Sequence, residues 1–156
     1  MGPDRWQTHG CHPPQNPRVP QAAPLKGQRS AGISPDRVGI IGFSAGGFGA
    51  AEVAVHYAPE GRPAFVGVIY GGLDEDVPVP TDAPPMFIAA ATDDDVVPAP
   101  ASIALYQKWT TASKSAELHI YAKGGHSFAG RVLNLPTDHW IDRFADWLQL
   151  EGFLNK

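Results

Sequence analysis

The chain has 156 residues, 43% of them hydrophobic and 18% charged, which is the composition of one ordinary globular domain. A net charge of −4 without any basic cluster excludes an electrostatic case for nucleic-acid binding, and the single cysteine, Cys11, excludes an internal disulfide. No apolar run approaches the roughly 20 residues of a membrane helix and the N-terminus has no apolar signal segment, so we expect a soluble cytoplasmic protein without a membrane partner.

Residues 1–30 differ from the rest of the chain in composition. They hold six of the sixteen prolines and show neither helical nor strand periodicity. We therefore expect an irregular or disordered segment over 1–30 and an ordered domain over 31–156. His9, Cys11 and His12 are metal-ligand types, but no further ligand completes a site, so we expect no bound metal.

The ordered part alternates short apolar runs with longer amphipathic stretches. The apolar runs predict four buried strands, at 37–43, 64–70, 86–91 and 117–121. The longer stretches predict three helices, at 46–58, 99–112 and about 137–150, with Thr137 as N-cap of the last. One face of that last helix carries Trp140, Phe144, Trp147 and Leu148. This alternation indicates an α/β fold with a mainly parallel sheet of about four strands and flanking helices.

The first predicted strand runs directly into a G-x-S-x-G motif at residues 42–46, where the first predicted helix begins. This context is typical of a nucleophile elbow, which predicts Ser44 as the nucleophile. We expect a side chain at Gly42 or Gly46 to clash with the neighbouring strand or helix. The N–H of Ala45, at the helix N-terminus, is placed to bind a developing oxyanion.

A serine hydroxyl needs a base, and His126 is the candidate because it lies in a glycine-rich loop just after the last predicted strand. An acid should follow the third strand, where Asp93, Asp94 and Asp95 are all available. The chain order serine, acid, histidine is that of the α/β-hydrolases. His119 alternates with Leu118 and Ile120, so we expect it to lie on the opposite face of its strand and to be structural.

Three segments carry a family resemblance, namely 34–47, 117–128 and 140–154. They resemble the acetyl-esterase and lipase-like α/β-hydrolases, including acetylxylan- and feruloyl-esterase-like members, with dienelactone-hydrolase-like proteins as more distant relatives. The resemblance covers about residues 31–156, roughly the C-terminal half of a usual member. It implies that the acid is the aspartate two residues before Val-Val-Pro, which is Asp94. It also implies hydrolysis of short acyl or acetyl esters through an acyl-serine, with no cofactor.

The chain departs from that family upstream of the elbow. Family members have about four strands there and an HGGG-type loop that gives a second oxyanion donor. No segment before the predicted strand at 37–43 has the pattern of a strand. Thr8-His9-Gly10 matches the HGGG-type loop poorly. The elbow strand would then be a sheet edge, which either the N-terminal segment folded over it or a second copy of the chain would protect. We expect self-association.

Two other functions stay open at this point. A serine peptidase of the prolyl-oligopeptidase type shares the elbow and acid pattern, although no gating domain is visible. A non-catalytic remnant would keep the three side chains without a complete oxyanion hole.

Overall fold

A computed structural model describes residues 34–74 and 76–154. The predicted irregular segment at 1–30, with its histidines and cysteine, lies outside the described residues. Within these residues four strands form one sheet: β1 (Ile40–Phe43), β2 (Val66–Ile69), β3 (Met86–Ala91) and β4 (Ala116–Tyr121). The same part of the chain has three α-helices: α1 (Ala45–Val55), α2 (Ala99–Thr111) and α3 (Trp140–Leu150). The strands pair in the order β1-β2-β3-β4, all parallel, which confirms the predicted fold class.

Several element boundaries differ from prediction for local reasons. β1 starts at Ile40, after a short 3₁₀ turn at Pro35–Arg37, and α1 ends at Val55, ahead of an extended Ala58 that precedes Pro59. The prediction of Thr137 as a helix N-cap was wrong. Residues Pro136–His139 form a separate 3₁₀ turn, His139 occupies the N-cap position of α3 without a side-chain capping hydrogen bond, and the Thr137 side chain is buried.

The core lies on both faces of the sheet because side chains alternate along the strands. One face packs against α1 and α2 through Val66, Val68, Met86, Ile88, Leu105 and Trp109. The other packs against α3 through Ile69, Phe87, Ala89, Phe144 and Trp147. The predicted apolar face of α3 is therefore buried, with Leu148 partly so. No helix in the described part of the chain is long and apolar enough to cross a bilayer.

His119 lies on the α3 face of β4, where its ring is 5.3 Å from that of Phe87 and its Nε2 is 2.7 Å from Glu117 Oε1. Leu118 packs on the other face, as predicted. All four strands run in the same direction, so the segments that follow β1, β3 and β4 meet at one edge of the sheet. These segments carry the serine, the aspartates and the histidine loop.

Candidate active site

The turn between β1 and α1 holds Ser44 in an unusual backbone conformation. Its φ is 54° and its ψ is −123°, a region that non-glycine residues seldom occupy. The Ser44 N–H donates to the carbonyl of Ile69 at 3.0 Å, and its own carbonyl accepts the N–H of Gly47 at 2.8 Å. The neighbouring strand and the first helical turn therefore hold the serine at the tip of a tight elbow.

Of the two elbow glycines at which a side chain was expected to clash, Gly42 lacks room for one and Gly46 does not. A Cβ at Gly42 would lie 1.9 Å from the carbonyl oxygen of Gly46, so only glycine fits there. The same expectation for Gly46 was wrong, because a Cβ at that position would meet nothing within 4 Å. Gly47 packs closely against the neighbouring strand, which was not predicted. A Cβ added at Gly47 would lie 3.2 Å from the Ile69 carbonyl oxygen and 3.3 Å from the Cα of Gly71.

Three side chains from separate loops meet at this edge. Ser44 Oγ lies 2.8 Å from His126 Nε2, across 82 positions of sequence. His126 Nδ1 lies 2.8 Å from Asp94 Oδ2 and 3.1 Å from Asp94 Oδ1. The structure thus brings together the serine, the histidine and the aspartate that the family resemblance selected.

The surroundings of Asp94 favour the ionised form of its carboxyl group. Its side chain is fully buried, and its Oδ1 accepts the N–H of Val96 at 2.9 Å and of Val97 at 2.8 Å. Burial by itself raises the pKa of this carboxyl, but the hydrogen bonds from Val97, from His126 and from Val96 outweigh it, so the pKa of Asp94 lies below its ordinary value. Asp95 is exposed and Asp93 turns toward the histidine loop.

Tyr70 is a neighbour of the histidine that sequence reasoning missed. It follows β2 with a φ of 39°, is buried, and places its ring 5.0 Å from the His126 ring. Burial raises the pKa of the Tyr70 phenol, opposed by Arg131 and reinforced by the Asp94 carboxylate. Only the sequence Tyr70-Gly71-Gly72 at a strand's end could have drawn attention to it.

The backbone N–H of Ala45 lies on the oxyanion side of the site. Ala45 is the first residue of α1, and among the described residues its N–H has no hydrogen-bond acceptor. This N–H is available to a bound oxyanion at the positive end of the helix dipole. Thr8-His9-Gly10, the poor match to a second donor loop, lies outside the described residues. No group of three or more His, Cys, Asp or Glu side chains within the described ranges could hold a metal ion.

The comparison with family models decides where this chain belongs. The model of the dienelactone hydrolase family matches residues 18–146. The chain belongs to the dienelactone hydrolase family. This dienelactone hydrolase family member is similar in structure to MGS-M1, an α/β-hydrolase enzyme from a Medee basin deep-sea metagenome library. The two are 26% identical with a TM-score of 0.72, over 83% of this chain and 61% of that one.

Two further structures share the fold of this dienelactone hydrolase family member. The carboxylesterase Cest-2923 from Lactobacillus plantarum is 22% identical with a TM-score of 0.72, over 85% of this chain and 65% of that one. The acetyl ester-xyloside bifunctional hydrolase from Caldicellulosiruptor lactoaceticus is 21% identical with a TM-score of 0.68, over 81% and 61%. The chain therefore spans 61–65% of these neighbours. Curated protein sequences give no match.

Proposed function

We propose that this hydrolase-family protein is a serine carboxylesterase for short-chain acyl or acetyl esters, with Ser44, His126 and Asp94 as its catalytic residues. The observation that carries the proposal is the distance of 2.8 Å between Ser44 Oγ and His126 Nε2. Membership of the dienelactone hydrolase family supports a hydrolase. One structural neighbour is a carboxylesterase and another an acetyl ester-xyloside hydrolase, which makes acetyl esters the first substrates to test.

The proposed reaction runs in two halves. His126 Nε2 takes the Ser44 proton while Oγ attacks the ester carbonyl, and the resulting oxyanion accepts the N–H of Ala45. The imidazolium then gives its proton to the departing alcohol, which leaves an acyl-serine. In the second half Nε2 takes a proton from water, the hydroxide attacks the acyl group, and Ser44 recovers its proton as the carboxylic acid leaves. Asp94 stays ionised throughout and stabilises the imidazolium.

One observation favours the alternative of a non-catalytic remnant. Among the described residues, one backbone N–H, that of Ala45, is placed to bind an oxyanion. Loss of one donor of a pair costs about 10²–10³ in kcat. The remnant hypothesis goes further and predicts no Ser44-dependent hydrolysis.

Hydrolysis of p-nitrophenyl acetate and butyrate by the purified chain tests the proposal. Ser44→Ala is compared with Ser115→Ala, whose hydroxyl donates to Glu151 on an exposed surface. We expect Ser44→Ala to abolish both hydrolysis and labelling by a fluorophosphonate probe, and Ser115→Ala to retain both. Equal hydrolysis by wild type and Ser44→Ala would refute the esterase proposal. Cleavage of a prolyl peptide in preference to the esters would support the peptidase instead.

A further inference from the structure

The loop that carries His126 has an unusual backbone. Gly124 has a φ of +157°, Gly125 of +61° and Ser127 of +63°. None of residues 123–126 belongs to a helix or a strand. Neither helix nor strand pairing therefore fixes the position of the imidazole, so other groups must do so.

Asp93 supplies one of these groups. Its Oδ1 accepts the N–H of Gly125 at 2.8 Å, and its Oδ2 lies 3.8 Å from the ammonium of Lys123. Asp93 immediately precedes Asp94, so one turn contacts the histidine loop at two points. Asp93 accepts the backbone N–H of Gly125, and Asp94 contacts the imidazole of His126. Each of these two contacts spans 32 positions of sequence.

Arg131 supplies the other group from beyond the loop. Its Nη2 donates to the carbonyl of His126 at 2.7 Å and to that of Gly124 at 3.1 Å. A single guanidinium nitrogen thus joins the two carbonyls that flank Gly125. Together the two side chains bind two peptide groups of the loop. The group between Gly124 and Gly125 is bound at both its carbonyl and its N–H, and the group between His126 and Ser127 is bound at its carbonyl. Hydrogen bonds with a charged partner are roughly twice as strong as neutral ones.

We propose that Asp93 and Arg131 are positioning residues that hold the 123–127 loop so that His126 Nε2 stays within hydrogen-bonding distance of Ser44. This inference rests on the proposed esterase function. Neither side chain touches the reacting atoms. Their effect is on the placement of the base, where an error of about 1 Å can cost as much as 100-fold in rate.

The first experiment compares Asp93→Ala, Asp93→Asn and the matched control Asp95→Ala, which removes an exposed carboxylate from the same acidic run. We expect Asp93→Ala to lower kcat for p-nitrophenyl acetate at least 10-fold with KM unchanged. Asp93→Asn should recover most of that loss, because its carboxamide oxygen can still accept the Gly125 N–H. Asp95→Ala should match wild type. An Asp93→Ala enzyme with wild-type kcat would overturn the proposal.

The second experiment is independent of activity. Amide hydrogen exchange of Gly125 should be faster in Asp93→Ala than in wild type, and close to wild type in Asp93→Asn and Asp95→Ala. Unchanged protection of Gly125 in Asp93→Ala would overturn the proposal even if activity fell. If the wild type shows no Ser44-dependent hydrolysis, the esterase proposal fails, and Gly125 exchange alone decides whether Asp93 holds the loop.

Arg131 is tested by Arg131→Ala against Arg143→Ala, which removes another exposed arginine, paired with Asp146 on α3. We expect kcat to fall in Arg131→Ala with KM unchanged and to stay at the wild-type value in Arg143→Ala. Arg131→Lys should recover part of the loss, since an ammonium can reach a carbonyl. Equal kcat in Arg131→Ala and Arg143→Ala would remove Arg131 from the proposal.

Discussion

Asp94 Oδ2 lies 2.8 Å from His126 Nδ1, while Oδ1 of the same carboxylate accepts the N–H groups of Val96 and Val97. Only Oδ1 accepts the two backbone N–H groups, whereas Nδ1 lies within 3.1 Å of both oxygens and nearer to Oδ2, so the carboxylate cannot rotate without breaking both backbone hydrogen bonds. The arrangement requires a proton on Nδ1 of the imidazole. Nε2 is then free to accept the proton of Ser44.

Replacement of Asp94 by asparagine should reverse this tautomer. The carboxamide oxygen will stay with the N–H groups of Val96 and Val97, so the amide NH₂ will face Nδ1 and force the imidazole proton onto Nε2. We expect kcat for p-nitrophenyl acetate to fall roughly 10³–10⁴-fold with little change in the fold. Steady-state kinetics together with a circular dichroism spectrum check this. A fall below 10-fold would contradict the role proposed for Asp94.

The same carboxylate should make stability depend on pH. Its pKa is lower in the folded state than in the unfolded chain, so the stabilisation is fully present above the unfolded value of about 3.9 and is lost as the pH falls through the folded value. Urea unfolding of wild type and Asp94→Asn from pH 7 down to pH 3 measures it. As the pH falls, the unfolding free energy of wild type should decrease relative to that of Asp94→Asn. The difference in unfolding free energy between wild type and Ser44→Ala should stay constant.

A pair of glycine variants tests the packing of the elbow. Gly42→Ala puts a Cβ 1.9 Å from the carbonyl oxygen of Gly46, so the turn must open, and we expect a loss of about 3 kcal/mol or more in unfolding free energy. Gly46→Ala puts a Cβ in open space within α1, and should be neutral or stabilising by up to about 1 kcal/mol. The denaturant midpoints of wild type and of the two variants measure these changes in stability. Equal stability of the two variants would show that Gly42 is not the packing constraint.

Self-association through β1 stays a prediction. β1 forms one edge of the described sheet, with Ile41 36% and Phe43 40% exposed. Sedimentation velocity at micromolar protein should show species heavier than the 16.6 kDa chain. Ile41→Lys places a charge on the edge strand and should shift the distribution toward the monomer. A wild-type distribution that is entirely monomeric would count against this interface.

Sequence and structure contributed differently to the site. The strand preceding Gly42-Phe43-Ser44-Ala45-Gly46, the glycines before His126 and the aspartates after β3 could be recognised locally, because turn chemistry and hydrophobic runs depend on near neighbours. Among Asp93, Asp94 and Asp95, however, only the resemblance to known hydrolases selected one. The start of α3 was misplaced, because an N-cap at Thr137 is locally as plausible as the 3₁₀ turn that forms there.

By itself the sequence determined the α/β class, the order of strands and helices and the serine, aspartate and histidine segments, since these follow from periodicity and turn residues. Only the tertiary structure showed that Asp94, which the family resemblance had selected, contacts the imidazole. It also showed that Gly42 rather than Gly46 has no room for a side chain, and that Asp93 and Arg131 hydrogen-bond to the histidine loop. The physical reason is distance along the chain. Asp94 and His126 lie 32 positions apart, and contacts across such separations are set by how the strands pair and pack, which local pattern does not encode.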